Sequence, residues 1–348
     1  MIQQLGGFVL AGVLIWLVLR GTDPRVIWQQ LQQASIVGLV FGAVVNVSHN
    51  IFRTWRWGAL LEPVRPKIPF RPMFAAIMLG YMTSWTVPGR LGELVRPALL
   101  SSRERIPLGP CLGSVVADRL LDGLAILILF AVGLLITPLP DQSAELVHVI
   151  LGATLAMVAL IGAVMALLLA ASTARARLEN WIGQHHGLLP WIGRSLLSVA
   201  DGAEALKRPR LLFRIFFHTM MAWIIISVGM WIGMRACGAD VSLGAVLVIQ
   251  PLVALGIALP TPGGAGGFHA AMTFGLAKIF GVPQAVAIGT GFLVHLMVVT
   301  PVLVIGSLLL LLDRLPFHDL LEAGRRVKQL GAPRAQSTSS EQSMERAP

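Results

Sequence analysis

Residues 86–97 read Thr-Val-Pro-Gly-Arg-Leu-Gly-Glu-Leu-Val-Arg-Pro and place three charged residues, Arg90, Glu93 and Arg96, between long hydrophobic runs. The Pro-Gly and Arg-Pro steps interrupt helical hydrogen bonding twice, which a bilayer tolerates only where the freed backbone is buried in protein or lines a wet cavity. A charge in the middle of a membrane span costs roughly 2.5 to 3.5 kcal/mol on insertion scales. The segment therefore predicts a functional site inside a membrane protein.

A second segment in the other half of the chain repeats this pattern. Residues 259–269 read Leu-Pro-Thr-Pro-Gly-Gly-Ala-Gly-Gly-Phe-His, and both segments contain Pro-Gly-x-x-Gly after an apolar run. Interrupted hydrophobic segments at corresponding places in two halves are typical of a transporter's binding site. We name residues 86–97 the first Pro-Gly segment and residues 259–269 the second, and we expect a substrate cavity between them.

The composition indicates an integral membrane protein. The 348 residues are 55% hydrophobic and 13% charged, with a mean hydropathy of +0.77, which is too little charge to cover a water-soluble globule. The net charge of +10 comes from arginines at helix ends, which the positive-inside rule explains better than nucleic-acid binding. Cys111 and Cys237 lack the spacing of a disulfide framework or a metal site, and the sequence predicts no cofactor.

Hydrophobic runs follow one another along most of the chain. Their lengths and boundaries predict an all-α polytopic membrane protein with about eight membrane segments, two of which form re-entrant pairs. The apolar segments are residues 5–19, 34–51, 73–87, 107–136, 145–170, 211–234, 243–259, 266–280 and 285–312.

The basic residues predict how the segments are oriented. They flank residues 73–87 on both sides, so this run and its return should form a hairpin that enters from the cytoplasm. Counting back from a cytoplasmic C-terminus places the second Pro-Gly segment in a hairpin that enters from outside, as an inverted repeat would produce. Full spans at residues 243–259 and 266–280 remain the alternative. The first-half cytoplasmic cluster is Arg53, Arg56, Arg65, Lys67 and Arg71.

Two regions differ from the membrane segments. Residues 172–210 carry arginines together with Trp181 and Trp191, which favours an amphipathic segment on the cytoplasmic membrane surface over a solvated linker. Residues 313–348 form a cytoplasmic tail, expected to be disordered from about residue 332 because it is rich in Ser, Gln and Pro. The transmembrane domain is thus residues 1–312, with both termini in the cytoplasm.

Arg90, Glu93 and Arg96 are the first candidate substrate-binding residues. Residues 93 and 96 are three apart on a helix and can pair, which leaves the group with a net positive charge. Guanidinium groups near the start of a half-helix would bind a phosphate or another anionic headgroup. The structural alternative is a pair of arginines that reach lipid phosphates at the cytoplasmic interface.

Asp118, Arg119 and Asp122 form a second candidate set, inside the helix that starts at Pro107. The two aspartates are four residues apart on one helix face and would repel each other unless a cation lies between them. Arg90 or Arg96 could supply that cation. The set would serve either in transport or as an ion-pair cluster that holds the first hairpin against this helix.

The second Pro-Gly segment contributes Gly263, Gly264 and His269 as further candidates. A glycine-rich helix start offers backbone N–H groups to an anion. His269 could bind a headgroup or carry a proton, although a single histidine in an apolar setting is more often a packing residue. Polar residues on other spans are expected to form interhelical hydrogen bonds; they are Asn46, His49, Asn50, His218 and His295.

Motifs of nucleophilic catalysis or nucleotide binding do not occur in the sequence. One alternative function is a membrane-bound enzyme or accessory subunit acting on phospholipid or polyprenyl-phosphate headgroups, with Asp118 and Asp122 as the only candidate pair for a metal. A third possibility is a non-transporting protein that binds a membrane synthase or another membrane protein.

The two motifs together resemble a known family. Pro88-Gly-Arg-Leu-Gly-Glu93-Leu-Val-Arg96, followed by Ser114-Val-Val-Ala-Asp118-Arg119-Leu-Leu-Asp122, is similar to the lysylphosphatidylglycerol synthase transmembrane region, also called the flippase-like UPF0104 family. The second Pro-Gly segment resembles the family's other motif. The resemblance extends from the first helix to about residue 312.

This resemblance implies the translocation of a membrane lipid in a bacterial cytoplasmic membrane. Fused members carry an aminoacyl-transferase domain after the membrane region, and that activity is not carried over to this chain. Two positions depart from the family pattern. Asp118 stands where the family usually has Glu, and His269 lies near a position that is often Glu.

Overall fold

We describe the fold from a computed structural model, in which residues 2–87, 91–138, 208–259 and 261–330 are described, together with six isolated positions between 152 and 205. Throughout these residues the secondary structure is helical. The helices are α1 (Ile2–Leu19), α2 (Pro24–Gln32), α3 (Ile36–Leu61), α4 (Phe70–Thr86), α5 (Gly92–Glu104), α6 (Leu108–Ile136), α7 (Pro209–Ala236), α8 (Leu243–Ala258), α9 (Gly267–Phe274), α10 (Gln284–Leu312) and α11 (Phe317–Leu330). A 3₁₀ turn, Pro262–Gly264, precedes α9, and a π-helical turn, Gly275–Ile279, follows it.

Four of the described helices are long and apolar enough to cross a membrane, namely α3, α6, α7 and α10. They have 26 to 29 residues each, and at 1.5 Å per residue they exceed the roughly 30 Å of a hydrocarbon core. The helices beside the two Pro-Gly segments are shorter, with 17 residues in α4 and 16 in α8. The chain is therefore a multi-pass helical membrane protein.

Contacts between helix ends define two ends of the molecule. At one end Asp313, just after α10, binds Arg71 of α4 and Arg103 of α5 at 3.1 and 2.7 Å. We name this the basic end. At the opposite end the Ser35 N–H donates to the carbonyl of Ala236 at 2.8 Å. Arg214 near the start of α7 pairs with Glu62 just after α3 at 2.8 Å, so α3 and α7 run antiparallel.

Helices α4 and α5 form a hairpin that opens at the basic end. Its two arms touch at Gly80 and Gly92, where a Cβ on Gly92 would lie only 1.8 Å from the Gly80 carbonyl oxygen. Only glycine allows two backbones to approach this closely. This contact brings Glu93 and Arg96, at the start of α5, against the middle of α4.

Helices α8 and α9 form a second hairpin, which opens at the opposite end. Its arms touch at Gly256 and Gly267, where a Cβ on Gly256 would lie 2.3 Å from the Gly267 carbonyl oxygen. The end of α4 meets the tip of the second hairpin, since a Cβ on Gly263 would lie 3.1 Å from the carbonyl oxygen of Trp85. The second Pro-Gly segment and the end of α4, next to the first Pro-Gly segment, are thus brought together from opposite ends of the molecule.

Two sequence-based expectations differ from the structure, and one connection contains an additional helix. The apolar run at residues 34–51 continues as helix to Leu61, so Arg53 and Arg56 are buried within α3 and do not belong to an interfacial cluster. The Arg-Pro step does not interrupt α5, because Pro97 lies close to the helix start and frees only one carbonyl there. Residues 21–33, which lie between the first two apolar runs, contain the short helix α2, which Asp23 caps.

Several predictions concern residues outside the described ranges. They include the segment at residues 145–170, most of the amphipathic segment at residues 172–210 and the expected disorder from residue 332. Pro88, Gly89 and Arg90 also lie outside, so the first Pro-Gly segment is described only at residues 86–87 and 91–97.

Candidate functional site

The charged residues of α3, α5 and α6 meet inside the helical bundle. Arg56 is at the centre, with a fully buried side chain whose Nη2 lies 2.6 Å from Asp118 and whose Nη1 lies 2.7 Å from Asp122. The two aspartates share one face of α6 because they are four residues apart. The Arg56 guanidinium between them offsets the repulsion between two buried carboxylates.

Arg96 connects α5 to this cluster. Its Nη2 donates to Asp118 at 2.9 Å, and its guanidinium lies 4.5 Å from the ring centroid of Trp57. Trp57 in turn donates its indole N–H to the hydroxyl of Ser114 at 2.9 Å. Arg96 is 3% exposed, so its role in the structure is to hold the first hairpin against α6. The expected pairing of Asp118 with an arginine of the first Pro-Gly segment is present in this contact.

Arg53 extends the cluster toward α4 and α7. Its Nη1 donates to Asp122 at 2.9 Å and to the hydroxyl of Tyr81 at 2.7 Å. Trp223 of α7 donates its indole N–H to the same aspartate at 2.9 Å, and its ring lies 5.4 Å from the Arg53 guanidinium. Asp122 is therefore bound by donors from two other helices, α3 and α7.

Arg119 and Glu93 are the most accessible members of the cluster. Arg119 Nε lies 3.9 Å from Glu93, and its Nη1 lies 3.4 Å from Asp122. Their side chains are 38% and 35% exposed, whereas Arg56, Arg96 and Asp118 are nearly inaccessible. Among the residues that the structure describes, four guanidiniums face three carboxylates in this cluster, so the site carries a net positive charge.

A cavity of about 410 Å³ lies beside the cluster, within the size range of ligand-binding pockets. Arg53, Arg119 and Glu93 line its charged side, and Gly264 lines it at the tip of the second hairpin. Apolar residues of α7, α8, α9 and α10 form the other wall. The apolar lining includes Ile226, Met230, Val253, Ile257, Phe268, Val298 and Val302.

Neutral polar residues lie about one helical turn from the charged cluster, toward the end of the molecule opposite the basic end. Asn50 precedes Arg53 by three residues on α3, and Ser227 follows Trp223 by four on α7. Ser227 donates its hydroxyl hydrogen to the Oε1 of Gln250 at 2.9 Å. Asn50 and Gln250 both line the cavity, so its wall changes from charged to neutral polar to apolar.

The second Pro-Gly segment is shaped by its glycines. Gly263 and Gly264 have φ angles of +59° and +63°, which side-chain-bearing residues rarely adopt. His269 is buried and accepts a hydrogen bond from the Gly266 N–H through Nδ1 at 3.1 Å. His295 of α10 lies 2.9 Å from the Gly263 carbonyl. In this structure both histidines stabilise the turn, and His269 lies outside the residues that line the cavity.

Sequence reasoning gave five of these residues in two candidate sets that an arginine–aspartate pair could join, and the structure brings the five together; they are Glu93, Arg96, Asp118, Arg119 and Asp122. It missed Arg53 and Arg56, which were assigned to the cytoplasmic interface, as well as Tyr81, Trp223 and Gln250. One pattern could have found the arginines. Residues three or four apart share one helix face, so Arg53 and Arg56 form a pair of cations on α3 just as Asp118 and Asp122 form a pair of carboxylates on α6 that needs cationic partners.

The fold and the site define a class of protein, a multi-pass helical membrane protein with a positively charged internal cavity between two opposed hairpins. Residues 4–306 match the model of the lysylphosphatidylglycerol synthase transmembrane region, and the chain belongs to this family. The family is a membrane domain linked to lipid handling. A comparison with individually curated proteins found no match.

Proposed function

We propose that the protein is a lipid translocase that moves a lipid with an anionic or aminoacylated headgroup between the two leaflets. One observation carries this proposal: a single cavity joins buried and half-buried guanidiniums to an apolar wall. Guanidinium groups bind phosphate through charge-assisted hydrogen bonds, and the apolar wall suits the first carbons of an acyl or polyprenyl chain. The rest of the chain would remain in the bilayer.

The arrangement of the hairpins supports this assignment. Two hairpins that enter from opposite faces and meet near the midplane are the architecture of transporters with inverted repeats. We place both hairpins as re-entrant elements and the basic end in the cytoplasm of a bacterial inner membrane, because arginines are concentrated there. In this orientation the headgroup would be bound from the cytoplasmic leaflet.

The geometry argues against a metal-dependent enzyme. Asp118 and Asp122 were the only pair expected to chelate a metal, and both oxygens of each carboxylate are within 2.9 Å of a guanidinium nitrogen. A metal ion would have to displace these arginines, which are buried and would then lose their counter-charges.

Arg119 offers the sharpest test, because it faces the cavity and its replacement leaves the buried pairs of Arg56 in place. The protein would be reconstituted into vesicles that contain a fluorescent anionic phospholipid, and a membrane-impermeant reductant would report transfer between leaflets. We expect Arg119→Gln to slow transfer about tenfold or more, since a hydrogen bond to a charged group contributes about 1.5–3 kcal/mol.

Arg214→Gln provides the matched control. Arg214 is an exposed arginine paired with Glu62 at 2.8 Å, away from the cavity, and its variant should transfer lipid at the wild-type rate. Transfer by Arg119→Gln at the wild-type rate would refute the assigned headgroup site. Transfer no faster than in protein-free vesicles for the wild type would refute the translocase itself.

A further inference from the structure

Three buried polar atoms on neutral side chains of the cavity wall have no hydrogen-bond partner among the described residues. They are Asn50 Oδ1, Gln250 Nε2 and Thr261 Oγ1. All three residues are less than one-tenth exposed, and all three line the cavity. An unsatisfied buried polar atom costs about 1–3 kcal/mol, so this part of the wall is suited to a ligand that satisfies it.

The three atoms differ in what they require. Asn50 Oδ1 only accepts hydrogen bonds, Gln250 Nε2 only donates them, and Thr261 Oγ1 does both. A phosphodiester oxygen accepts but does not donate at neutral pH, and an ammonium group donates but does not accept. A hydroxyl group does both and therefore complements the whole set.

The helical spacing along α3 gives the distance between these neutral polar residues and the charged cluster. Asn50 lies three residues before Arg53 on α3, a rise of about 4.5 Å. A ligand with its phosphate at Arg53 and Arg119 would therefore place a group about one helical turn away at Asn50 and Gln250. A hydroxyl at this separation from phosphorus occurs in polyol and sugar esters of phosphoric acid.

The charges of the site decide against an ammonium headgroup. In the described part of the chain, Asp118 and Asp122 are held by guanidiniums, and Glu93 lies beside Arg119. An aminoacyl ammonium group would meet a net positive cluster without an uncommitted aspartate to bind it. Like charges in a site of low polarity repel strongly.

We infer that the ligand is a lipid whose anionic headgroup carries free hydroxyl groups, as a polyol or sugar phosphate does, and that Asn50, Gln250 and Thr261 bind those hydroxyls. This inference rests on the proposed function, and it narrows that function to one of its two headgroup classes.

A binding experiment tests this inference without requiring lipid movement. The full-length protein in detergent would be loaded with a fluorescent anionic lipid, which would then be displaced by three probes with equal acyl chains. The probes are phosphatidylglycerol, phosphatidic acid and lysylphosphatidylglycerol. We expect phosphatidylglycerol to displace the label at about tenfold lower concentration than the other two, because they lack the hydroxyl pair or the net negative charge.

Variants assign the preference to the named residues. Gln250→Leu and, separately, Thr261→Val should weaken phosphatidylglycerol binding and reduce its advantage over phosphatidic acid to about threefold or less. Thr290→Val is the matched control, because Thr290 is equally buried and does not line the cavity. Two variants are used so that a folding defect in one still leaves a measurement.

Several results would overturn the inference. One is lysylphosphatidylglycerol or phosphatidic acid binding as tightly as phosphatidylglycerol, and another is an undiminished preference in both variants. Displacement by water-soluble glycerol phosphate at the same concentration would show that the ligand is not a lipid. Failure of the translocase proposal appears separately, as absent transfer between leaflets with the binding preference intact.

Discussion

Arg56 shows how one residue determines the centre of this membrane domain. It is fully buried and contacts two carboxylates at 2.6 and 2.7 Å. Removing one partner of a buried ion pair costs far more than the pair contributes, because the remaining charge loses its compensation. Arg56 therefore stabilises the packing of α3 against α6, whereas the more exposed Arg119 is placed to act on a ligand.

We expect Arg56→Gln to lower the free energy of unfolding by about 3–5 kcal/mol, because it leaves Asp118 and Asp122 facing each other without the cation between them. Thermal denaturation of the purified protein, followed by its loss from the monodisperse peak in size-exclusion chromatography, measures this effect. Arg214→Gln should lower the melting temperature little. Equal melting temperatures for the two variants would show that the Arg56 pairs do not stabilise the fold.

The aspartates of the site could be predicted from the sequence, whereas Arg53 and Arg56 could not, for a physical reason. Asp118 and Asp122 stand out because carboxylates are rare inside an apolar helix. Arg53 and Arg56 follow an apolar run and precede further basic residues, which is also the pattern of an interfacial arginine. Whether such an arginine reaches lipid phosphates or a buried aspartate depends on the neighbouring helix, and a single segment does not contain that information.

At the scale of the elements, each hairpin depends on one glycine–glycine contact. Gly80 with Gly92 closes the first, and Gly256 with Gly267 closes the second. The Pro-Gly-x-x-Gly motif predicted where the helices break, and these breaks are present in both hairpins. It did not predict the Gly80 and Gly256 contacts, because each lies in the partner helix, outside the motif.

We expect Gly92→Ala and Gly256→Ala to destabilise the protein by about 1–3 kcal/mol or more, because each added methyl group would overlap a backbone carbonyl. Gly12→Ala is the control, since a Cβ at Gly12 has no atom within 4 Å. The midpoint of thermal denaturation of the three purified variants measures the effect. If all three melt together, the two close contacts do not support the hairpins.

At the scale of the whole molecule, the basic and opposite ends can be assigned to the two sides of the membrane. Ser102 near the basic end and Asp240 at the opposite end are both exposed. The native Cys111 and Cys237 are buried, so single introduced cysteines can be labelled selectively. This makes the orientation a direct measurement.

We expect Asp240→Cys to react with a membrane-impermeant maleimide added to intact cells, and Ser102→Cys to react only after the membrane is opened, since arginine-rich ends remain in the cytoplasm. Labelling of both variants in opened membranes is the positive control. The reverse pattern in intact cells would invert the orientation and place the headgroup site in the outer leaflet.

The seam between the two hairpins has a consequence for how the molecule could move. The ion pairs described above tie α3, α5 and α6 together, while α8 and α9 meet Trp85 through glycines and apolar surface. Parting the end of α4 from the second hairpin would thus sacrifice apolar contact area, without separating buried opposite charges among the described residues. The ion-paired helices α3, α5 and α6 can therefore stay in place while α8 and α9 move away from them at low energetic cost.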